Sequence, residues 1–230
     1  FFFYKIFFFG LTKIFGIKIN ISGFPKKKKV LFISNHISYL DILILGSSID
    51  AVFVAKSDIK DWPIINKFCA LGRTIFIDRK RIRSVEKQMK LIENSMMKGL
   101  NVILFPEGTS SDGSKVLKFK SSLFKLIDSE RLKDFNLQPI SITYSKLDGL
   151  PLDKFFRPFL AWFGAMDLLS HAWKFLGLGV SEVNVKFHNS KKFTSFSDRK
   201  TACKFCYEKI SYQVKHDFSS LEIVDKIKLY

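Results

Sequence analysis

The chain has 230 residues, enough for one domain with a full hydrophobic core and short for two. It carries 38 Lys and Arg against 21 Asp and Glu, and its net charge of +17 indicates an anionic partner. Nucleic acid and an anionic membrane surface both fit this charge, and the 26 Phe residues favour the membrane. The three cysteines exclude a disulfide framework and are typical of a reducing compartment.

The first seventeen residues are almost entirely apolar, but Lys5 and Lys13 interrupt them. No uncharged run therefore approaches the roughly 20 residues that a membrane-spanning helix needs. With neither an initiating Met nor a small-residue cleavage site, the sequence predicts no signal peptide and is typical of a piece of a longer chain. It predicts either a helix that lies in the membrane interface, with its lysines extended to the headgroups, or an ordinary buried helix.

Four consecutive lysines, Lys26–Lys29, come next, so that residues 1–29 hold seven Lys and no acidic residue. A solvated loop accounts for such a run. After an apolar helix it would also lie at an anionic headgroup layer, where each Lys contributes about 1 kcal/mol. Because basic residues tend to stay on the cytoplasmic side, we expect the domain at the cytoplasmic face of the cell membrane.

The first predicted strand, residues 30–33, leads into Ser-Asn-His-Ile-Ser-Tyr-Leu-Asp at positions 34–41, with a helix beginning at about Ser38. On one continuous helix His36 and Asp41 would be about 140° apart. With His36 in the turn, the Asp41 carboxylate can reach an imidazole nitrogen, which makes a general base and its orienting partner. Alternatively, Ser38 and Asp41 cap the helix and His36 is a loop residue.

Strands and helices then alternate along the chain. Further strands are predicted at residues 51–55, 74–77, 101–105, 140–144 and 180–187. Helices are predicted at 59–71, 84–98 and 197–214. This order predicts an α/β fold with a mostly parallel central sheet flanked by helices, preceded by the N-terminal apolar segment.

The strand at 101–105 ends in a second polar loop, Pro-Glu-Gly-Thr-Ser-Ser-Asp-Gly at positions 106–113. Because the carboxyl ends of parallel strands share one edge of a sheet, this loop and the His36 turn should line one crevice. Glu107 places a carboxylate there. The backbone at Gly108 and Thr109 can offer N–H groups to an oxyanion, since glycine lets a backbone approach closely.

Three blocks resemble the lysophospholipid acyltransferase family. They are Asn-His-Ile-Ser-Tyr-Leu-Asp at 35–41, Gly-Arg-Thr-Ile-Phe-Ile-Asp-Arg at 72–79 and Phe-Pro-Glu-Gly-Thr at 105–109. The resemblance covers roughly residues 18–190, and the strand at 138–142 is a fourth, weaker match. Together with the apolar N-terminal composition, it predicts a membrane-associating segment at 1–24 and an acyltransferase α/β domain at 25–230.

The resemblance implies transfer of a fatty acyl group from acyl-CoA or acyl-carrier protein to lysophosphatidic acid, giving phosphatidic acid. His36 would take the hydroxyl proton and Asp41 would fix the imidazole tautomer. Glu107 would bind the acceptor or, alternatively, stabilise its own loop. Arg79 would hold the acceptor phosphate, with Arg73 as second candidate, unless either pairs with a neighbouring acid. No covalent acyl-enzyme, metal or other cofactor is expected.

Three functions stay open. The first is acylation of lysophosphatidic acid, and the second is acylation of another lyso-lipid such as lyso-ornithine lipid. The third is a non-catalytic basic module that binds membrane or nucleic acid, in which His36 would be dispensable and salt alone would govern affinity. No nucleic-acid motif supports the third, so membrane lipids are the expected partner.

Several remaining features are interpreted structurally. Cys203 and Cys206 are predicted to be small core residues of a helix, since a zinc site would need further ligands. His171, His188 and His216 have no acidic partner at a telling spacing. The apolar, aromatic residues 155–178 are predicted either to cover the sheet or to line an acyl channel.

Overall fold

The structure, a computed structural model, describes residues 2–56, 74–77 and 84–227. Its strands are β1 (Ile17–Ser22), β2 (Val30–Ser34), β3 (Val52–Lys56), β4 (Ile75–Ile77), β5 (Val102–Leu104), β6 (Asn136–Leu147), β7 (Leu150–Pro151), β8 (Ser181–Phe187) and β9 (Lys191–Lys192). Its α-helices are α1 (Phe2–Ile14), α2 (Leu40–Ser48), α3 (Ser84–Met97), α4 (Arg157–Leu160), α5 (Leu168–Leu176) and α6 (Arg199–Ile227). Short 3-10 helices span Ser121–Asp128, Glu130–Leu132 and Phe193–Ser195.

Within these ranges the strands form one sheet in the order β1-β8-β6-β2-β5-β3-β4. Along this path every neighbouring pair is parallel except β6 and β8. The short strands β7 and β9 add antiparallel pairs to β6. The predicted α/β fold with a mostly parallel sheet is therefore confirmed.

The centre of the sheet follows from sequence. All five residues of β2 are buried, as expected for an apolar run in a parallel strand that is covered on both faces. It lies between β5 and β6, so the loops after β2 and β5 leave the same edge of the sheet side by side. This adjacency brings the His36 turn and the Glu107 loop together.

The strand β1 is missing from the sequence prediction, which placed the first strand at residues 30–33. Ile17, Ile19 and Ile21 alternate with polar residues, and the strand pairs in parallel with β8 at the edge of the sheet. Because only Ile17 of these six residues is buried, the strand lacks the long apolar run that marks β2. As a consequence Lys26–Lys29 follow a strand rather than the apolar helix, and lie at the end of β2 opposite to His36.

The sheet separates two hydrophobic layers. One contains α1, α2, α4 and α5, represented by Phe8, Ile44, Leu160 and Phe175. The other contains α3 and α6, with Met89, Ile92 and Met96 along one side of α3, and also Cys203 and Cys206. The prediction that the two cysteines are core residues is confirmed.

Other predicted elements agree with the structure to within a few residues at most ends, although β6 is longer than predicted and α6 continues to Ile227. The predicted helix at 59–71 lies outside the described residues. The segment after β7 covers the sheet through Leu160, Ala161 and Phe175, which favours the covering interpretation. None of the helices in the described ranges combines the length and apolar character that crossing a bilayer requires.

Candidate active site

His36 and Asp41 meet at the carboxyl end of β2. The histidine lies in the turn after the strand and the aspartate in the first turn of α2, which places His36 Nδ1 2.9 Å from Asp41 Oδ2. The Asp41 side chain has no exposed surface, while that of His36 keeps 19%. Part of the alternative capping pair is present as well, since Asp41 accepts the N–H of Ser38 at 3.0 Å, although Tyr39 is the N-cap residue of α2 and makes no side-chain cap.

Four donors surround the Asp41 carboxylate. Its Oδ2 accepts the backbone N–H groups of Ile37 at 2.7 Å and Ser38 at 3.0 Å, in addition to His36 Nδ1. Its Oδ1 accepts the hydroxyl of Tyr144 at 3.0 Å. Because a carboxylate can only accept, Nδ1 of His36 carries the proton in this pair and Nε2 is left as the basic nitrogen.

Tyr144 is the site residue that sequence reasoning missed. It lies on β6, beside β2, and is 3% exposed. Burial, together with the charge of Asp41, raises the pKa of Tyr144 well above its ordinary value, so the phenol stays a donor. The sequence signal was a single tyrosine in a buried strand that also carries Ser141 and Thr143, which does not identify its partner.

Glu107 connects the two loops of the crevice. Its Oε1 accepts the backbone N–H of His36 at 2.7 Å and its Oε2 accepts that of Leu117 at 2.8 Å. Burial raises the pKa of Glu107 to about 8, against the opposing effect of these two donors. With 3% exposure and backbone donors on both oxygens, Glu107 is placed to stabilise its loop, which favours that alternative over acceptor binding.

The loop after β5 packs against the imidazole. The Phe105 ring stacks on the His36 ring with 4.2 Å between centroids, and Ser111 donates its N–H to the His36 carbonyl at 2.9 Å. Gly108 adopts φ +78°, a conformation natural to glycine, and donates its N–H to the Phe105 carbonyl at 3.1 Å. This N–H is already bonded inside the turn. Of the two residues predicted to contact the oxyanion, the exposed Thr109 is therefore the remaining candidate.

Arg73 and Arg79 lie outside the described residues, so their predicted roles stay predictions. The strand between them, β4, is parallel to the other central strands and ends at the same edge of the sheet as His36. Two strands, β5 and β3, separate β4 from β2. In the described part of the chain, no three His, Cys, Asp or Glu side chains converge as metal ligands would.

His171 was expected to be a structural or surface residue without a partner at a telling spacing. In the structure it lies on α5 with its Nδ1 3.2 Å from the hydroxyl of Tyr39, one of the residues between His36 and Asp41. The nearby Trp162 donates its backbone N–H to the Ile37 carbonyl at 3.1 Å. The segment that contains α4 and α5 is thus attached to the His36 turn.

This arrangement suits general base catalysis. His36 Nε2 can take a proton from a hydroxyl group, a role that contributes about 10²- to 10⁴-fold in rate. The two serines nearest in sequence are buried and hydrogen-bonded to backbone, Ser34 Oγ to the Asn35 carbonyl and Ser38 Oγ to the N–H of Leu40. Neither is presented to His36 as a nucleophile.

Comparison with known proteins agrees with this chemistry. Residues 18–143, more than half of the chain, match the family model described as Acyltransferase. The lyso-ornithine lipid O-acyltransferase of Rhizobium meliloti is 34% identical over 200 residues, which cover 85% of this chain and 68% of that protein. The 1-acyl-sn-glycerol-3-phosphate acyltransferase of Neisseria gonorrhoeae is 36% identical over 110 residues, 48% of this chain and 43% of that protein.

The fold also matches a solved structure. The crystal structure of the 1-acyl-sn-glycerophosphate (LPA) acyltransferase PlsC from Thermotoga maritima superposes with a TM-score of 0.64, covering 92% of this chain and 77% of that one at 20% identity. That likeness concerns the fold, while the family model and the Rhizobium relative carry the assignment. The chain therefore belongs to the acyltransferase family, among its lyso-lipid acyltransferases.

Proposed function

We propose that this protein transfers a fatty acyl group from a thioester of coenzyme A or acyl-carrier protein to the free hydroxyl of lyso-ornithine lipid. The observation that carries the catalytic part is the His36–Asp41 pair, with Nδ1 committed to the buried carboxylate and Nε2 left as the base. The acceptor is argued separately below, since the pair would serve any lyso-lipid hydroxyl.

The reaction needs no covalent intermediate on the protein. As the acceptor oxygen attacks the thioester carbonyl, its proton moves to Nε2 of neutral His36, giving an imidazolium and a tetrahedral oxyanion. The oxyanion collapses, the carbon–sulfur bond breaks, and the leaving thiolate takes the proton back from the imidazolium. An ester and a thiol are formed, and His36 returns to its starting state.

The neighbours of His36 keep it in position for both proton transfers. Asp41 stabilises the imidazolium and holds the ring, and Tyr144 holds Asp41 from the other side. Glu107 fixes the backbone of the turn at the His36 N–H. The backbone N–H of the exposed residue Thr109 is our candidate donor to the oxyanion, because Thr109 belongs to the loop that follows Phe105, whose ring stacks on the imidazole.

The choice of acceptor rests on the extent of similarity. The relatives named for lyso-ornithine lipid match over 85% and 86% of this chain, whereas the Neisseria gonorrhoeae relative named for 1-acyl-sn-glycerol-3-phosphate matches over 48%. The longer match includes the part of the chain after the family model ends. Lysophosphatidic acid is the second candidate, favoured by the predicted phosphate-binding Arg79.

A lipid acceptor requires access to a bilayer. We propose that the N-terminal segment places the domain on the cytoplasmic face of the membrane, since α1 carries Lys5 and Lys13 and no acidic residue, whereas Lys26–Lys29 lie at the far end of β2. The helix α1 supports this, since Phe2, Phe3 and Phe9 are exposed on its outer side. The membrane thus supplies the acceptor, and acyl-CoA or acyl-carrier protein supplies the donor from solution.

A panel of acceptors tests the proposal. Purified protein is incubated with one labelled acyl thioester and, in turn, lyso-ornithine lipid, lysophosphatidic acid and a lysophospholipid with a larger headgroup. We expect the highest kcat/KM with lyso-ornithine lipid, and a kcat lower by about 10²-fold or more in His36→Ala. Activity on lysophosphatidic acid alone would make that lipid the acceptor in place of lyso-ornithine lipid. The absence of transfer to any lyso-lipid would overturn the proposal.

Arg79→Ala separates the two headgroups in the same panel. A phosphomonoester carries nearly two negative charges, so losing a charged hydrogen bond to it should cost about 1.5–3 kcal/mol. An ornithine headgroup, which carries an ammonium and a carboxylate, should be affected less. Equal loss on every acceptor would remove Arg79 from the phosphate site.

A further inference from the structure

The segment from Phe155 to Leu176, which contains α4 and α5, exposes apolar side chains instead of burying them. Its exposed large hydrophobic residues are Phe155, Phe156, Phe159, Met166, Leu169, Trp173 and Leu176. Trp173 is 78% exposed and Phe155 71% exposed, which is far from the usual environment of these side chains. A concentration of this kind on one segment marks an interaction site or a membrane contact.

The helix α1 exposes a second set on the same side of the sheet. Tyr4, Phe8 and Thr12 face inward, while Phe2, Phe3, Ile6, Phe9 and Ile14 are exposed. The buried residues of α1 belong to the same hydrophobic layer as Leu160, Ala161 and Phe175 of the aromatic segment. Both exposed sets therefore lie over one face of the sheet, opposite to α3 and α6.

The two elements also touch at their ends. The ring of Phe15, just after α1, lies 6.0 Å from the ring of Phe175 in α5. Ser181, at the start of β8, donates its N–H to the Gly16 carbonyl at 2.9 Å. The end of α1 and the helix α5 are thus in contact through their inner sides.

Each part places a lysine over one of its exposed phenylalanine rings. Lys13 Nζ lies 5.1 Å from the ring centroid of Phe9, and Lys154 Nζ lies 5.1 Å from that of Phe155. In this arrangement the ring can enter the acyl boundary while the ammonium group stays with the lipid phosphates. The α1 helix has no acidic residue, whereas the aromatic segment exposes Asp167, whose carboxylate is used as the N-cap of α5, and Asp153 just before it.

The surface continues to the catalytic turn. Trp162 of the aromatic segment donates its backbone N–H to Ile37, the residue next to His36. His171 of α5 lies 3.2 Å from the hydroxyl of Tyr39. A ligand that covers this surface therefore lies beside the base that would act on it.

We propose that residues 155–176 form a second membrane contact, which joins that of α1 into one surface seated on an anionic lipid bilayer and opens the His36 site toward it. This inference rests on the proposed function, which makes the acceptor a membrane lipid. The acceptor can then keep its acyl chain in the bilayer while its hydroxyl reaches His36. This role differs from both sequence interpretations of the segment, although its inner side also covers the sheet.

Vesicle binding tests the contact directly. The full chain is sedimented with vesicles of phosphatidylcholine and phosphatidylglycerol in equal parts, and a vesicle-bound fraction is measured for the wild type and for Leu169→Glu with Trp173→Glu. Both residues are largely exposed, so the fold should be retained. We expect partitioning to fall about tenfold or more, because two apolar side chains are lost and two negative charges face an anionic surface.

The matched control is Leu91→Glu with Tyr212→Glu. These residues are 52% and 70% exposed on α3 and α6, over the other face of the sheet, and their replacement adds the same charge. We expect this double variant to bind vesicles like the wild type. Equal loss in both double variants would overturn the proposal, since net charge alone would then explain the effect.

Fluorescence gives a second readout that does not depend on activity. Lipids brominated in the acyl chain should quench the wild type, and Trp173→Phe should remove a large part of that quenching because Trp173 enters the acyl region. Unchanged quenching in Trp173→Phe would contradict the proposal. So would a change of oligomeric state on replacing Leu169 and Trp173 in the absence of vesicles, which would assign the surface to a second copy of the chain.

Acyl transfer to a detergent-solubilised acceptor keeps this inference distinct from the proposed function. If the Leu169 and Trp173 variant loses vesicle binding but keeps transfer in detergent, both proposals stand. If the wild type binds vesicles through Trp173 but transfers no acyl group, the membrane contact stands and the proposed function fails. If the Leu169 and Trp173 variant binds vesicles and transfers the acyl group like the wild type, the second membrane contact is wrong and the proposed function stands.

Discussion

The hydroxyl of Tyr144 donates a hydrogen bond to Oδ1 of Asp41 at 3.0 Å, across 103 positions of sequence. It joins β6 to the first turn of α2 underneath the His36 imidazole. Asp41 is fully buried and Tyr144 nearly so, and the effect of such a bond is strong because little solvent competes with it. Asp41 thus positions the His36 base, and Tyr144 in turn positions Asp41.

Tyr144→Phe tests whether this hydroxyl positions the base. The change removes one donor from a buried carboxylate and keeps the ring packing, so we expect stability to fall by about 1–3 kcal/mol. With the carboxylate less constrained, kcat should fall by about tenfold, which corresponds to 1.4 kcal/mol, while KM for the acceptor changes little. Thermal unfolding and steady-state kinetics measure the two effects. Unchanged kcat with lowered stability would assign Tyr144 a structural role alone.

Asp41→Ala is expected to damage folding as well as catalysis. The carboxylate accepts bonds from His36, Ile37, Ser38 and Tyr144, and alanine leaves these buried donors without a partner. The free energy of unfolding should fall by about 3 kcal/mol or more. Denaturant titration of the purified variant measures this loss. A variant as stable as the wild type would contradict the buried hydrogen-bonded arrangement of Asp41.

Glu107→Ala distinguishes the two interpretations of this carboxyl group. If it stabilises its loop, the N–H groups of His36 and Leu117 lose their partner, and unfolding becomes easier by about 2 kcal/mol together with a fall in kcat. If it binds the acceptor, KM rises and the unfolding temperature stays the same. We expect the first result. Asp112→Ala is a suitable control, since that carboxylate is bonded to Ser114 at the exposed side of the same loop.

The buried His188 should make the folded protein less stable at acidic pH. Burial and the charges of Lys186 and Lys209 lower the pKa of His188 to about 4 in the folded protein, from 6.5. Above pH 6.5 the ring is neutral in both states and stability is complete. As the pH falls from 6.5 to 4 the unfolded chain binds a proton that the folded chain does not, so stability is lost.

The size of this effect is at most about 2 kcal/mol, since the ring is partly exposed and screened by solvent. His188→Gln removes the titrating group and places an amide near the position of Nε2, so that Ser141 keeps a polar partner. Urea unfolding at pH 7 and at pH 4.5 should show that the wild type loses more stability than this variant. The same loss in both proteins would show that other groups cause the acid effect.

The central sheet was predictable because its strands are buried on both faces. The runs that form β2 and β5 are apolar and end in polar loops, so their type and direction could be read from sequence. The edge strand β1 was not predictable, because only Ile17 of its residues is buried. Its alternation of apolar and polar residues consists of three isoleucines that follow a longer apolar stretch. Its omission also placed Lys26–Lys29 too close to the apolar helix.

The site was predictable to the extent that it is local. His36 and Asp41 are five residues apart, so a strand-to-helix turn was enough to bring them together. Tyr144 and His171 reach the same turn from 103 and 132 positions away, and such contacts depend on strand order and loop path. The role of Glu107 was left open by sequence, because a carboxylate at a strand end serves a ligand or its own backbone equally well until its burial is known.

The measurement that tests the account most directly is the turnover of purified His36→Ala with a labelled acyl thioester and lyso-ornithine lipid. The side chain is partly exposed and makes its hydrogen bond only to Asp41 within the described residues, so the variant should fold, as circular dichroism and thermal unfolding can verify. We predict that kcat falls by about 10²-fold or more, the contribution of a positioned general base. A folded His36→Ala protein with near-normal kcat would contradict the proposed mechanism.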